Sequence, residues 1–431
     1  MNITIRKCAA TVAGLMVAGA ATVAPAQNDQ KFEAAPAIAG AKLVPAAMLK
    51  GSNYDVAEPV RIDRFLGRFE LHSAHGTFDV SGVDMLAARV RELRAIEELK
   101  KVESSSTFTE ALGKSAGASV KLVGSLVTEP GKTVENIAIG AGTVLGRIGY
   151  SVKSGAQNAG DAMTKPSATQ QEEKPTTGGG AEPPSFTDDP FGYNQARRQW
   201  AKKLEIDPYT TNPVLRPLLD NAAKATFAGN FAVSLTVGAI AAPLQYASDF
   251  EATVRDSVWD QPPGDLEKSN AEKLQRMGVP AEAVRAFLRN RWFTPTQQTA
   301  LVAALDKLNG ASGRDAVVRA ATTIAGEVPA RFLVRSLALL GDYHQRDNPL
   351  VQIRMRGIVP VAKSKDGSLV AAAAIDYLYW SEEASTFARA QELAGNKRVL
   401  LLAGGTSDRA AAEFSQLGWK VRGGLRPVGG S

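Results

Sequence analysis

"VQIRMRGIVPVAKSKDGSLVAAAAIDYLYW", from Val351 to Trp380, is where the chain changes character. Its β-branched residues, bounded by Lys365, Asp366 and Gly367, predict a hairpin. Beyond it, "SEEASTFARAQELAG" predicts a helix, "KRVLLLAGG" a buried strand, "TSDRAAAEFSQLG" a second helix and "WKVR" a short strand. A strand, helix, strand unit of this kind pairs in parallel with a right-handed crossover. Residues 348–431 therefore read as a compact α/β module.

Upstream, residues 191–347 read as a helical domain. Pro213, Pro280, Pro295 and Pro329 fall in or near the first turn of successive apolar-periodic segments, where proline's fixed φ and missing donor are suited. Within this region "ATFAGNFAVSLTVGAIAAPLQYAS", Ala225 to Ser248, carries no charged residue and is apolar nearly all round, so it has to be buried. Its length matches a bilayer crossing. Asn230, Ser234, Thr236, Pro243 and Gln245, together with an apolar content drawn largely from alanine and glycine, favour instead the central helix of a soluble bundle.

Toward the start of the chain, residues 41–105 read as a small α+β module. "YDVAEPVRID" and "GRFELHSAHGTFDVSG" have strand patterns, the second turning near residues 74–76. Ser81 is the expected cap of a following helix, with Asp84 completing a capping box. Val83, Leu86, Val90, Leu93 and Ile96 give that helix one apolar face. Residues 106–153 read as an amphipathic, glycine-rich helical segment. Its glycines weaken it as an isolated helix, so it needs a surface to lie on, either the protein itself or a lipid headgroup layer, which its excess of lysine and arginine suits. Residues 154–190, rich in Gly, Pro, Thr and Glu, lack the apolar surface to repay ordering and read as a disordered linker. The expected fold class is thus α+β in several modules: a small N-terminal sheet with its helix, a central helical domain and a C-terminal α/β module.

Residues 1–26 have the plan of an export signal. Arg6 and Lys7 precede an apolar run, which ends in the small residues of Ala24-Pro25-Ala26. The single cysteine of the chain, Cys8, lies inside this segment. A chain starting at Gln27 carries no cysteine, which excludes disulfides, thiolate catalysis and cysteine-bound metals. Without the signal the balance is 48 basic to 44 acidic residues, too even and too dispersed to predict a nucleic-acid face.

Chemistry-bearing patterns are sparse. His72 and His75 sit on a hairpin arm and its turn, which does not suggest a metal site, and no cofactor is expected. Asp342 with His344 suggests an orienting pair, but no G-x-S-x-G serine accompanies it. Arg285, Arg289 and Arg291 beside Trp292 read as a solvated helix face or, alternatively, as a grip on an acidic partner, and "IDPYTTNP" is dense in polar and aromatic residues for a loop. The most suggestive stretch is "LLLAGGTSDRAA". A buried strand ends at Gly404 and Gly405, and Thr406 and Ser407 open a helix, a place where backbone donors meet an anion. The alternative there is an ordinary tight turn with a hydroxyl cap.

Two functions follow as expectations. The first is an exported, non-enzymatic protein of the periplasm or cell envelope, touching a membrane surface through residues 107–152, or a protein partner. The second is a periplasmic enzyme or small-anion binder using Gly404, Gly405, Thr406 and Ser407.

Overall fold

The computed structural model describes residues 31–115, 193–229, 249–395 and 397–425. The export signal, the linker at 154–190, the later part of 106–153 and residues 230–248 lie outside them.

Five short strands come first: β1 (Ala37–Ile38), β2 (Tyr54–Val56), β3 (Val60–Asp63), β4 (Leu66–Ser73) and β5 (Gly76–Ser81). β4 is the spine. It pairs antiparallel with β5 along one edge and with β3 and β2 along the other, while β1 extends the sheet beyond β3. Alternation decides its faces: Phe69, Leu71, Phe78 and Val80 are buried, while Glu70 and Asp79 point to water. Helix α2 (Val83–Glu103), preceded by the four-residue α1 (Ala46–Leu49), covers the apolar face with the expected stripe of Val83, Leu86, Val90, Leu93 and Ile96, all buried.

The start of α2 differs from expectation. Its N-cap is Gly82, with φ of 90°, and no side chain of its own segment caps it. Ser81 instead accepts from the Arg68 guanidinium. The cap comes from Asp376, whose carboxylate accepts from Val83 N–H at 3.1 Å and from Gly67 N–H at 2.8 Å. An anion at a helix N-terminus is favourable wherever in the sequence it originates.

Among the described residues, eight further helices fill the middle: α3 (Ser106–Ser115), α4 (Tyr193–Lys203), α5 (Leu215–Gly229), α6 (Asp249–Asp260), α7 (Pro263–Arg276), α8 (Ala281–Leu288), α9 (Pro295–Lys307) and α10 (Arg314–Thr322). Their starts use proline as expected. Pro295 is the first residue of α9, behind a capping box of Thr294 and Gln297, and Pro280 immediately precedes α8. Among the described residues no helix is long and apolar enough to cross a membrane.

The long helix α11 (Glu327–Arg346) joins this region to the last. Strands β6 (Leu350–Arg356), β7 (Val359–Ser364), β8 (Leu369–Ala373), β10 (Arg398–Leu402) and β12 (Trp419–Arg422) form one sheet in the order β12-β10-β8-β7-β6. Two hairpins stand where one was expected. Gly357, at φ of 58°, allows a two-residue turn that pairs Arg356 with Val359 before the turn at 365–367. β8, β10 and β12 run parallel.

The parallel strands β8 and β10 are buried on both faces, whereas the antiparallel edge strand β6 is largely exposed. Val370, Ala372 and Leu401 face the core shared with Leu333, Leu337 and Leu340 of α11. Alternate residues Ala373, Leu400 and Leu402 face α12 (Glu382–Ala388) and Phe414 of α13 (Asp408–Gln416). A two-stranded parallel pair, β9 (Tyr377–Leu378) with β11 (Gly405–Thr406), closes the turn region. The fold is therefore mixed α+β in several parts. The described residues from Glu33 onward belong to one compact unit.

Candidate functional site

The glycine turn leaves β10 at Leu402 and enters α13 after Ser407. Its backbone donors are committed to carbonyls. Gly404 N–H donates to Ile375 O at 2.8 Å, Gly405 N–H to Asp376 O at 3.0 Å and Ser407 N–H to Leu378 O at 2.8 Å. This pairing explains the first glycine, because a Cβ on Gly404 would stand 1.9 Å from the Asp376 carbonyl oxygen. At Gly405 a Cβ would make only ordinary contact with the Tyr377 ring, at 3.6 Å.

Ser407 is the N-cap of α13, its hydroxyl oxygen accepting from Ala410 N–H at 3.0 Å. Thr406 has no part in the cap, since its hydroxyl donates to the Ser407 carbonyl. A carboxylate lies at this helix start. Glu33 accepts from the Ser407 hydroxyl at 2.7 Å and from Trp380 N–H, while its own N–H donates to Trp380 O at 2.8 Å. The place thus holds an anion supplied by the same chain, through one hydroxyl and one backbone donor.

The other patterns separate. Asp342 pairs with Lys307 at 3.7 Å, and His344 Nδ1 accepts from Leu350 N–H at 2.9 Å, so the two do not orient one another. His72 lies between Glu70 and Asp55, whose carboxylates hold its pKa above the ordinary histidine value, Glu70 foremost. His75 is shifted the other way, by burial and by Lys100 3.2 Å away. Among the described residues no group of three His, Cys, Asp or Glu side chains is placed to hold a metal ion. Arg285, Arg289 and Arg291 are exposed, the last stacked over Trp292 at 5.5 Å. Asn290 fixes that loop by donating to the Ala321 and Ile324 carbonyls, both at 2.9 Å.

A dense polar cluster lies where α2, the loop before α5 and α11 meet. Glu92 of α2 accepts from Arg89 at 2.7 Å, from Asn212 at 2.9 Å and from the Thr210 hydroxyl. Thr211 accepts from Arg89 at 3.0 Å and donates to Glu327 at 2.8 Å, and Glu327 pairs with Arg331 at 3.0 Å. Asp207 accepts from Thr296 at 2.7 Å and from Tyr209 N–H at 2.8 Å. Burial pushes the Asp207 carboxyl up, against those two bonds. Burial also acts upward on Glu327, but Arg331 and Arg89 outweigh it and hold the carboxyl below its ordinary range.

The polar density of "IDPYTTNP" is the sequence trace of this seam. Its partners, Glu92 and Glu327, lie more than a hundred residues away and left no local mark. Each carboxylate is answered by donors from another element, an arrangement that fixes three parts of the chain together.

No family model, curated protein or solved structure matches the chain.

Proposed function

We propose that the protein is exported to the periplasm or cell envelope after loss of residues 1–26 and works there without catalysis, by contact with a membrane surface or a protein partner. The observation that carries this is Phe227, 52% exposed near the end of α5, on the helix that leads into the uncharged stretch 225–248. α5 packs against α2, α3 and α4, and α4 packs against α6. The helix cluster bearing Phe227 therefore also bears α3, the start of the basic, glycine-rich stretch 107–152. An exposed apolar side chain on the cluster from which the basic stretch continues suits a headgroup layer, where apolar and electrostatic terms add.

Sedimentation of the processed protein with vesicles tests this. Binding to anionic vesicles, weaker on zwitterionic ones, released by high salt and reduced by Phe227→Ser, is the expected result. Absence of binding to both vesicle types would remove the membrane surface and leave the protein partner, sought by cross-linking from a cysteine placed at 227. N-terminal sequencing of exported material should begin at Gln27.

A second reading, a periplasmic enzyme or small-anion binder at Gly404, Gly405, Thr406 and Ser407, is favoured by the carboxylate of Glu33 at the α13 start. An external anion would take its place. Stabilisation of Glu33→Ala by acetate or phosphate, absent in the parent, is what this reading requires.

A further inference from the structure

We propose that His75 makes the hairpin of β4 and β5 a proton-operated catch on α2: neutral, its ring holds Lys100; protonated, it gives up Lys100 and takes Glu97. The hairpin turns at Ala74 and His75, between the paired ends Ser73 and Gly76. That turn is fixed by its own bonds, Ser73 Oγ accepting from His75 N–H at 3.1 Å and donating to the Gly76 carbonyl at 2.9 Å. Both arms pack on α2, and the His75 side chain, only 11% exposed, reaches two residues of that helix.

The bonding fixes the tautomer. Lys100 Nζ lies 3.2 Å from His75 Nδ1, and an ammonium group can only donate, so Nδ1 is the acceptor and the ring's one proton sits on Nε2. Nε2 is buried without a hydrogen-bond partner, and Glu97 Oε1 stands 4.0 Å from it, beyond bonding reach. The neutral ring thus uses one nitrogen and leaves the other idle, with the cation and the anion three residues apart on one helix face.

A second proton reverses both contacts. It enters at Nδ1, where it faces the Lys100 ammonium, and a bond becomes a repulsion between two cations. The same charge makes Nε2–H a strong donor, for which about 2.8 Å to a carboxylate is the ordinary distance, so closing on Glu97 moves the ring edge by about 1 Å. Burial, and after it Lys100, holds the His75 pKa below the ordinary histidine value, which places the exchange on the acid side of that value. Neighbouring charges are engaged elsewhere: Lys101 with Glu98 at 2.8 Å, and His72 with Glu70 at 3.0 Å and Asp55 at 3.4 Å. Those carboxylates raise His72, so the two histidines of one hairpin titrate in separate ranges. Lys100 belongs to the last turn of α2 and α3 follows at Ser106, so the exchange is delivered to the helix end that leads into the cluster α3 shares with α5.

The chain has three histidines, so NMR titration of the processed full chain labelled at histidine follows each ring, with His75→Gln supplying the assignment. His75 should titrate below His72, and the amides of 73–77 and of Lys100 should shift along its curve. Lys100→Met, at an exposed position, should raise the proton affinity of His75 about threefold, and Glu97→Gln should lower it about threefold, the size of a partly exposed pair. A His75 that titrates with or above His72, or that ignores Lys100→Met, would overturn the catch. A response to Lys100→Met with none to Glu97→Gln would overturn the exchange, leaving a ring that only lets go. In His75→Gln, whose amide oxygen still accepts from Lys100 but carries no charge, the acid-dependent shift of the Lys100 amide should vanish, and its persistence would overturn the proposal as well.

Discussion

Asp376 and Glu33 are both carboxylates set at the start of a helix, yet they do different work. Asp376 is buried and holds two backbone donors, Gly67 and Val83, from a strand and a helix made far earlier in the chain. Glu33 is half-buried, shares the α13 start with Ser407, and ties the segment that leads into β1 to the C-terminal part. The helix end offers both the same partial positive charge. Burial sets the difference, because a donor left unpaired in the interior has no water to turn to, whereas one at the rim does. One carboxylate is a keystone, the other a latch.

Substitution of the keystone should have the largest effect. Asp376→Ala leaves two buried N–H groups unsatisfied and should destabilise by about 3 kcal/mol, read from the urea midpoint at unchanged slope. Asp376→Asn retains one acceptor and should lose less. A cost for Asp376→Ala no greater than that of Glu33→Ala would abolish the distinction.

The seam ranks next. Glu327→Gln removes a charge held by Arg331 and Thr211 and should cost about 2 kcal/mol at neutral pH. The acid side of the pH profile carries the sign. Glu327 is depressed in the folded state, so its contribution is present above the ordinary carboxylate pKa and is lost as pH falls through its folded value. Asp207 is raised, so its contribution is complete below the ordinary value and is lost as pH rises through its folded one. Unfolding followed against pH should therefore show a shallower acid loss in Glu327→Gln, and Asp207→Asn should remove a term of opposite slope. Parallel profiles for the two variants would mean that one of these assignments is wrong.

At the latch, Glu33→Ala should cost about 1 kcal/mol. Ser407→Ala should cost a similar amount through loss of the cap, measured by thermal unfolding. Thr406→Ala should have the smallest effect, within about 0.5 kcal/mol, because its hydroxyl caps nothing. A larger loss at Thr406 than at Ser407 would reverse the assignment of the cap.

Much of the fold was legible because it is periodic. The apolar stripe of α2, the hairpin of β4 and β5, and the β10, α13, β12 unit are written in short-range spacing. The β6 and β7 turn was missed because Gly357 stands alone among β-prone residues, without the paired turn residues that mark 365–367. α12 is shorter than its pattern, ending at Ala388, and Leu393 is then buried from a short 3-10 turn. The candidate site was legible only as a shape. Strand, turn and helix at 402–408 follow from local residues, whereas the carbonyls of 375–378 and the Glu33 carboxylate reach the turn from other parts of the chain. The cap of α2 was beyond local reading for the same reason: Ser81 had the right chemistry in the right place, and a residue 293 positions beyond Val83 took the role.

That distance has a consequence for synthesis. A ribosome completes the N-terminal sheet and α2 long before it reaches Asp376, so throughout that interval the helix start lacks its anion and Gly67 lacks its acceptor. The earliest part of the chain to emerge is thus among the last to become fully bonded. A polypeptide released short of residue 376 should hold residues 54–103 in a looser, more protease-sensitive state than the same residues have in the finished chain.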